Sequence, residues 1–212
     1  SQKSAGNSIL FKKGKLINEG TYTHHSGGIF DLDSVATFGD FGTITNSGIW
    51  NFLGSSQINS TFTEGGFLNS GTVMKSGVLG STEFLAFFKN ETAATIQVDA
   101  LSAIRLNGGS LIAEDSILTV NGTLSLGEGT HSLSDSSLTG SGYLAISGIS
   151  PSSKTQITTF GALTGPATGG LHMAGGRLTA NELLGVAGKM NVERGLLGSG
   201  KITQCDLRLT GA

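Results

Sequence analysis

Ile44-Thr45-Asn46-Ser47-Gly48-Ile49-Trp50-Asn51 is followed, 23 residues on, by Phe67-Leu68-Asn69-Ser70-Gly71-Thr72-Val73. Taken at every second residue, both stretches give an apolar side chain, an asparagine, a glycine and a bulky apolar side chain. The same frame occurs upstream as Leu16, Asn18, Gly20 and Tyr22, and downstream, degenerately, as Phe88, Asn90, Thr92 and Ala94. The four asparagines are 28, 23 and 21 positions apart. Coils whose strands are fixed while their loops vary in length give such spacing, and helical repeats do not.

Period two places the four residues of each frame on one face of an extended segment. A face with leucine, phenylalanine and tryptophan must be the interior. An asparagine amide buried alone costs a few kcal/mol, roughly the cost of any unpaired amide. Stacked on the asparagine of the next coil, it both donates and accepts along the column. The structural ladder is therefore expected at Asn18, Asn46, Asn69 and Asn90. The glycine two residues later leaves room at a corner where a side chain would clash or need positive φ.

The second half keeps the alternation and changes the filling, with Leu118, Val120, Gly122, Leu124 and Leu126 in strict period two. Ile104 to Leu106, Leu111 to Ala113, Leu144 to Ile146, Ile157 to Phe160 and Leu207 to Leu209 read as further short strands between Gly/Ser/Asp turns. Gly108-Gly109-Ser110-Leu111-Ile112-Ala113 returns 67 residues later as Gly175-Gly176-Arg177-Leu178-Thr179-Ala180. Leu138-Thr139-Gly140-Ser141-Gly142 returns 58 later as Leu196-Leu197-Gly198-Ser199-Gly200. Both distances suit three coils. The best helical competitor, Asn181 to Val192, is interrupted by Gly185 and Gly188, which are costly inside a helix.

These features predict an all-β chain: one single-stranded parallel β-helix (β-solenoid) domain over residues 1–212. Parallel crossovers favour right-handed winding. At roughly 20 to 25 residues per coil the chain makes about nine coils, and at about 4.8 Å per coil it forms a rod on the order of 45 Å long. Ten of the eleven phenylalanines lie at or before Phe88, so an aromatic-rich N-terminal half and a Leu-rich C-terminal half are expected. A change of cross-section is expected near residue 100, and a loop insertion near 148–154.

Composition narrows the function. Lys+Arg 13 against Asp+Glu 15 gives a net charge of -2, which removes the electrostatic reason for a nucleic-acid or anionic-membrane partner. No apolar run approaches the roughly 18 residues of a membrane span, so no membrane insertion is expected. Cys205 is the only cysteine, which excludes an intrachain disulfide and a Cys/His zinc cluster. It shares an expected face with Leu207 and Leu209 and reads as a buried apolar group.

The Asn46 and Asn69 phrases, with Gly77-Val78-Leu79, resemble repeats of large bacterial adhesin-like surface proteins of the filamentous haemagglutinin type. The stretch from Gly122-Thr123-Leu124 to Leu196 and Leu197 is similar to the same class. That resemblance implies a parallel β-helix at the cell surface and carries no catalytic residue with it. Similar solenoids occur in extracellular filaments of microbial eukaryotes.

Enzymatic β-helices need clustered carboxylates for calcium or for acid/base work. Asp31 and Asp33 share a face, with Asp40 nearby and His24-His25 upstream, but nothing completes a site, and the group reads as a solvated polar loop. Gly27-Gly28-Ile29-Phe30-Asp31 departs from the calcium-binding nonapeptide frame. The triplets Thr21 to Thr23, Thr43 to Thr45 and Thr61 to Thr63 could form an ice-binding hydroxyl array only if they stacked, and their registers against the ladder differ. No catalytic, metal or cofactor residue is assigned. Sequons begin at Asn59, Asn90 and Asn121; alternation turns Asn59 and Asn121 outward as possible glycosylation sites and Asn90 inward.

The repeat runs from about Leu10 to Leu209 with neither end resembling a cap, which points to copies stacked end to end or to a longer solenoid. The expected role is a non-enzymatic extracellular or cell-surface rod, a stalk or filament subunit with a possible host-surface or glycan ligand. A carbohydrate- or ice-binding module is the alternative, with a polysaccharide lyase or hydrolase behind it.

Overall fold

The computed structural model describes residues 8–10, 14–25, 28–32, 42–60, 66–77 and 79–146, and then 156–160, 163–165, 170–174, 177–180, 183–186, 188–192, 196–197, 201–202 and 205–209. The chain is an all-β parallel β-solenoid, with no helix among the described residues. Successive strands are dealt in turn to three sheets, so each strand lies beside the third one after it. Ser8–Leu10 begins sheet I, Lys15–Asn18 sheet II and Thr21–His24 sheet III, and Ile29–Asp31 then pairs with Ser8–Leu10. The sheets hold ten, nine and nine described strands, and every pairing between them is parallel.

Alternation is visible residue by residue. Thr43–Asn46, Thr72–Lys75, Phe87–Asn90 and Thr95–Val98 each alternate half-buried and buried side chains. The buried members fill one continuous core. From Phe30 to Phe88 that core is largely aromatic: Trp50 and Phe67 meet edge-on at 5.2 Å, and Phe67 stacks on Phe88 at 5.7 Å. Ile96, Val98, Ile104, Leu106, Leu118, Val120, Leu124 and Leu126 continue it, all at most 1% exposed. Each such side chain contributes about 1.5–3 kcal/mol by leaving water.

The corner after the ladder strand is built by one carbonyl. Ser47 and Gly48 both donate their backbone N–H to Asn18 O, and Ser70 and Gly71 both donate to Asn46 O, at 2.8 to 3.2 Å. This draws the coils together. A Cβ on Gly48 would overlap the Gly20 carbonyl, and one on Gly71 the Gly48 carbonyl. Close approach of backbones, rather than left-handed φ, thus demands glycine there.

Three details correct the sequence reading. Thr92 is exposed and does not continue the inward column. At that corner Ala94 N–H donates to Glu91 O at 3.0 Å, and Ala93, at φ 59°, makes the bend that the Ser-Gly step makes elsewhere. The Gly108 and Gly175 phrases are three coils apart but one residue out of register, since Ser110 aligns through His131 and Ile157 with Leu178, not with Arg177. A one-residue slip exchanges the two faces of a strand. The Leu138 and Leu196 phrases lie on different sheets, Ser137–Thr139 on III and Leu196–Leu197 on II. Asn181 to Val192, disfavoured as a helix by Gly185 and Gly188, indeed contains the strands Leu183–Val186 and Gly188–Val192. The expected insertion at 148–154 lies outside the described residues.

Candidate functional site

Asn18 Nδ2 donates to Asn46 Oδ1 at 2.6 Å, Asn46 Nδ2 to Asn69 Oδ1 at 2.7 Å and Asn69 Nδ2 to Asn90 Oδ1 at 2.6 Å. Register brings them together: the Cα of Asn46 pairs with those of Asn18 and Asn69, and Asn69 with Asn90. Each amide also donates into the next corner, Asn46 to Thr72 O at 3.0 Å and Asn69 to Thr95 O at 3.2 Å. Asn46, Asn69 and Asn90 are fully buried. The column ends at Asn90, whose Cα partner is Ile112 and whose Nδ2 instead donates to Ser116 Oγ at 3.0 Å. Ser116 Oγ in turn donates to Ala113 O at 2.7 Å, which leaves its lone pairs to accept from Asn90, so the last amide is not orphaned.

Two buried polar groups, His131 and Lys75, were not singled out in the sequence, and a third, His24, was placed in a polar loop. His131 is fully buried; Ser110 Oγ lies 2.8 Å from its Nδ1 and Gly127 O lies 3.2 Å from its Nε2. The carbonyl can only accept, so Nε2 carries the proton and Nδ1 accepts from Ser110. Burial pushes the imidazole down to about 4, against the opposing pull of the Gly127 and Glu128 carbonyls. Ser110 and His131 form a nucleophile–base pair in outline, but both side chains are closed off from solvent and hold two coils together. Lys75 is buried between the register positions of Phe52 and Val98, its Nζ donating to Ser76 O at 3.3 Å. Burial lowers its pKa, and Asp99 opposes that. Period two from Val73 marks Lys75 as inward. His24 is buried too, against Phe30 at 5.1 Å and Tyr22 at 6.4 Å, and burial followed by the charge of His25 lowers its pKa. His24 is therefore not part of a solvated polar loop, while Asp33 and Asp40 lie outside the described residues.

The first two threonine triplets do not stack, since Thr21 to Thr23 is on sheet III and Thr43 to Thr45 on sheet II; Thr61 to Thr63 lies outside the described residues. Asn121 is exposed, its Oδ1 accepting from Ser141 N–H at 3.2 Å. Asn59 faces outward between buried Ile58 and Ser60 but is half-buried, with its Oδ1 covered. The Cys205 side chain lies outside the described residues.

The outer face of sheet I is hollowed. Register sets Ser81, Ala103, Thr123 and Tyr143 in one outward column and Glu83, Arg105, Ser125 and Ala145 in the next. Small side chains between Arg105 and Tyr143 leave two troughs of about 660 and 580 Å³, which share Ala103, Arg105, Thr123 and Tyr143. Leu101 forms part of one rim, 72% exposed and held at φ 62°. Alternation marks Arg105 and Tyr143 as outward, but only three-coil registers reveal that they border one hollow.

Among the described residues no group of three His, Cys, Asp or Glu side chains could hold a metal ion. Compared with known proteins, the chain matches no family model, no curated sequence and no solved structure.

Proposed function

We propose that the chain is a stiff, non-enzymatic rod: an extracellular stalk, adhesin segment or filament subunit that positions its loops along an axis. The observation that carries this reading is the hydrogen-bonded column Asn18, Asn46, Asn69 and Asn90 inside three parallel sheets. Every coil is bonded to the next by three strand ladders, and in this part of the chain by a fourth row of side-chain amides. Bending would have to break all of these rows together. Axial continuation, by another copy or by more solenoid, would use the same backbone row that joins coil to coil, as exposed strand edges do.

Negative-stain images of the protein across a concentration series test this. Rods of constant width that lengthen with concentration support a filament subunit, and rods of one short length leave the stalk segment. Round particles of no preferred axis contradict both.

A further inference from the structure

Arg105 stands exposed on the floor of the hollow in sheet I, and the carboxylate nearest in register, Glu83, is already engaged. Gln57 Nε2 donates to its Oε2 at 2.9 Å and Asn107 Nδ2 to its Oε1 at 2.5 Å. Among the described residues Arg105 makes no ion pair. Glu128, on the wall of the larger trough, is the other charge facing the hollow. Tyr143 is 38% exposed, edge-on to His172 at 6.0 Å, and the next residue along its outward column is Gly170, which has no side chain to cover the ring. Leu101, in left-handed conformation, pays a backbone cost to hold an apolar side chain in solvent at the rim. From strand spacing and rise, Arg105 and Tyr143 lie roughly 12 Å apart on the diagonal.

We propose that this hollow binds an extended sugar chain bearing carboxylates, with Arg105 holding a carboxylate and Tyr143 the apolar face of a ring. The guanidinium fork matches a carboxylate in two parallel hydrogen bonds. A sugar ring has an apolar C–H face and a polar rim; exposed Tyr143 borders both troughs, with Leu101 on the rim of the smaller and Asn107 and Glu128 on the wall of the larger, so apolar and polar groups alternate along the hollow. Other occupants fit less well. A peptide strand cannot add here, because Gly80–Phe84, Ser102–Leu106, Thr123–Leu126 and Tyr143–Ile146 are each paired on both edges. An amphipathic helix needs an apolar groove, and this floor is Ala103, Thr123, Ser125 and Arg105. A nucleic acid needs several cations along its backbone, and the hollow offers one.

Calorimetric titration with hexagalacturonate, maltohexaose and a poly-L-glutamate of similar length tests the proposal. Hexagalacturonate is expected to bind, with maltohexaose weaker by about tenfold or more, the loss of a charge-assisted bidentate pair. Arg105→Gln and Tyr143→Ala should each weaken hexagalacturonate binding by about tenfold, with Arg105→Lys intermediate because its single ammonium lacks the fork. Both side chains point outward, so the variants should melt as the parent does. Absence of hexagalacturonate binding, unchanged binding by Arg105→Gln, or equal binding of poly-L-glutamate would overturn the proposal.

Discussion

Asn69 Nδ2 donates to Asn90 Oδ1 at 2.6 Å, and its own Oδ1 accepts from Asn46 Nδ2 at 2.7 Å, so one buried amide joins three successive coils. Asn69→Ala removes a donor and an acceptor together, leaving the Asn90 and Thr95 oxygens and the Asn46 amide without this partner. At about 1–3 kcal/mol for each buried group left unsatisfied, partly relieved by water, a loss of roughly 2–4 kcal/mol is expected. Asn18→Ala, at the half-buried end of the column, should cost about 1 kcal/mol, a typical single hydrogen bond. Urea melts of the two variants compare them directly; equal losses would remove the special standing of the interior amides.

Gly71→Ala places a methyl group against the Gly48 carbonyl. Backbone cannot yield there without opening the two forked corners, on Asn18 O and on Asn46 O, to which Gly48 and Gly71 belong. A loss of about 1–3 kcal/mol is expected, as for other overpacked sites. A methyl group on Gly20 would meet nothing within 4 Å, so Gly20→Ala is the matched control and should change the thermal midpoint little.

His131 makes stability depend on pH in a defined window. Its folded pKa, about 4, lies below the ordinary 6.5, so between those values the unfolded chain binds more protons. Stability therefore rises with pH from about 4 to 6.5, is complete above 6.5, and falls by about 3 kcal/mol as pH is lowered through the window. Carboxylates titrate near the lower end, so the readout is the difference from His131→Gln, whose stability should vary less between pH 6.5 and 4. Identical slopes for parent and variant would show that His131 is not held neutral.

Secretion from a eukaryotic host separates the three sequons. Asn121 should carry glycan, since attachment at Nδ2 leaves its Oδ1 free to accept from Ser141. Asn90 should be bare in the folded protein because its Nδ2 is buried and donates to Ser116 Oγ and Ala94 O. Half-buried Asn59 should show lower occupancy than Asn121. Glycopeptide mass spectrometry reads all three; sugar on Asn90 would be incompatible with the ladder.

The ladder was legible because period two is a property of extended backbone, and Asn18, Asn46, Asn69 and Asn90 recur with the same apolar neighbours. Its last corner was not, because Ala93 makes with positive φ a bend that glycine signals elsewhere, and a single alanine carries no such signal. Register between distant coils was also hidden: the Gly108 and Gly175 phrases are alike letter by letter yet one residue apart in the sheet. Loop lengths alone decide that offset. Lys75 and His24 read as surface residues by type, and only their place in the alternation puts them inside. The hollow beside Arg105 and Tyr143 needs three registers at once, so nothing local in the sequence announces it.

Hydrogen exchange of the asparagine side-chain amides, followed by NMR, tests the central claim most directly. A hydrogen-bonded column inside the solenoid predicts that the Nδ2 protons of Asn46, Asn69 and Asn90 exchange at least about a thousandfold more slowly than those of exposed Asn121, as groups released only by cooperative opening do. Exchange of the three at the rate of Asn121 would contradict the ladder and the rod built on it.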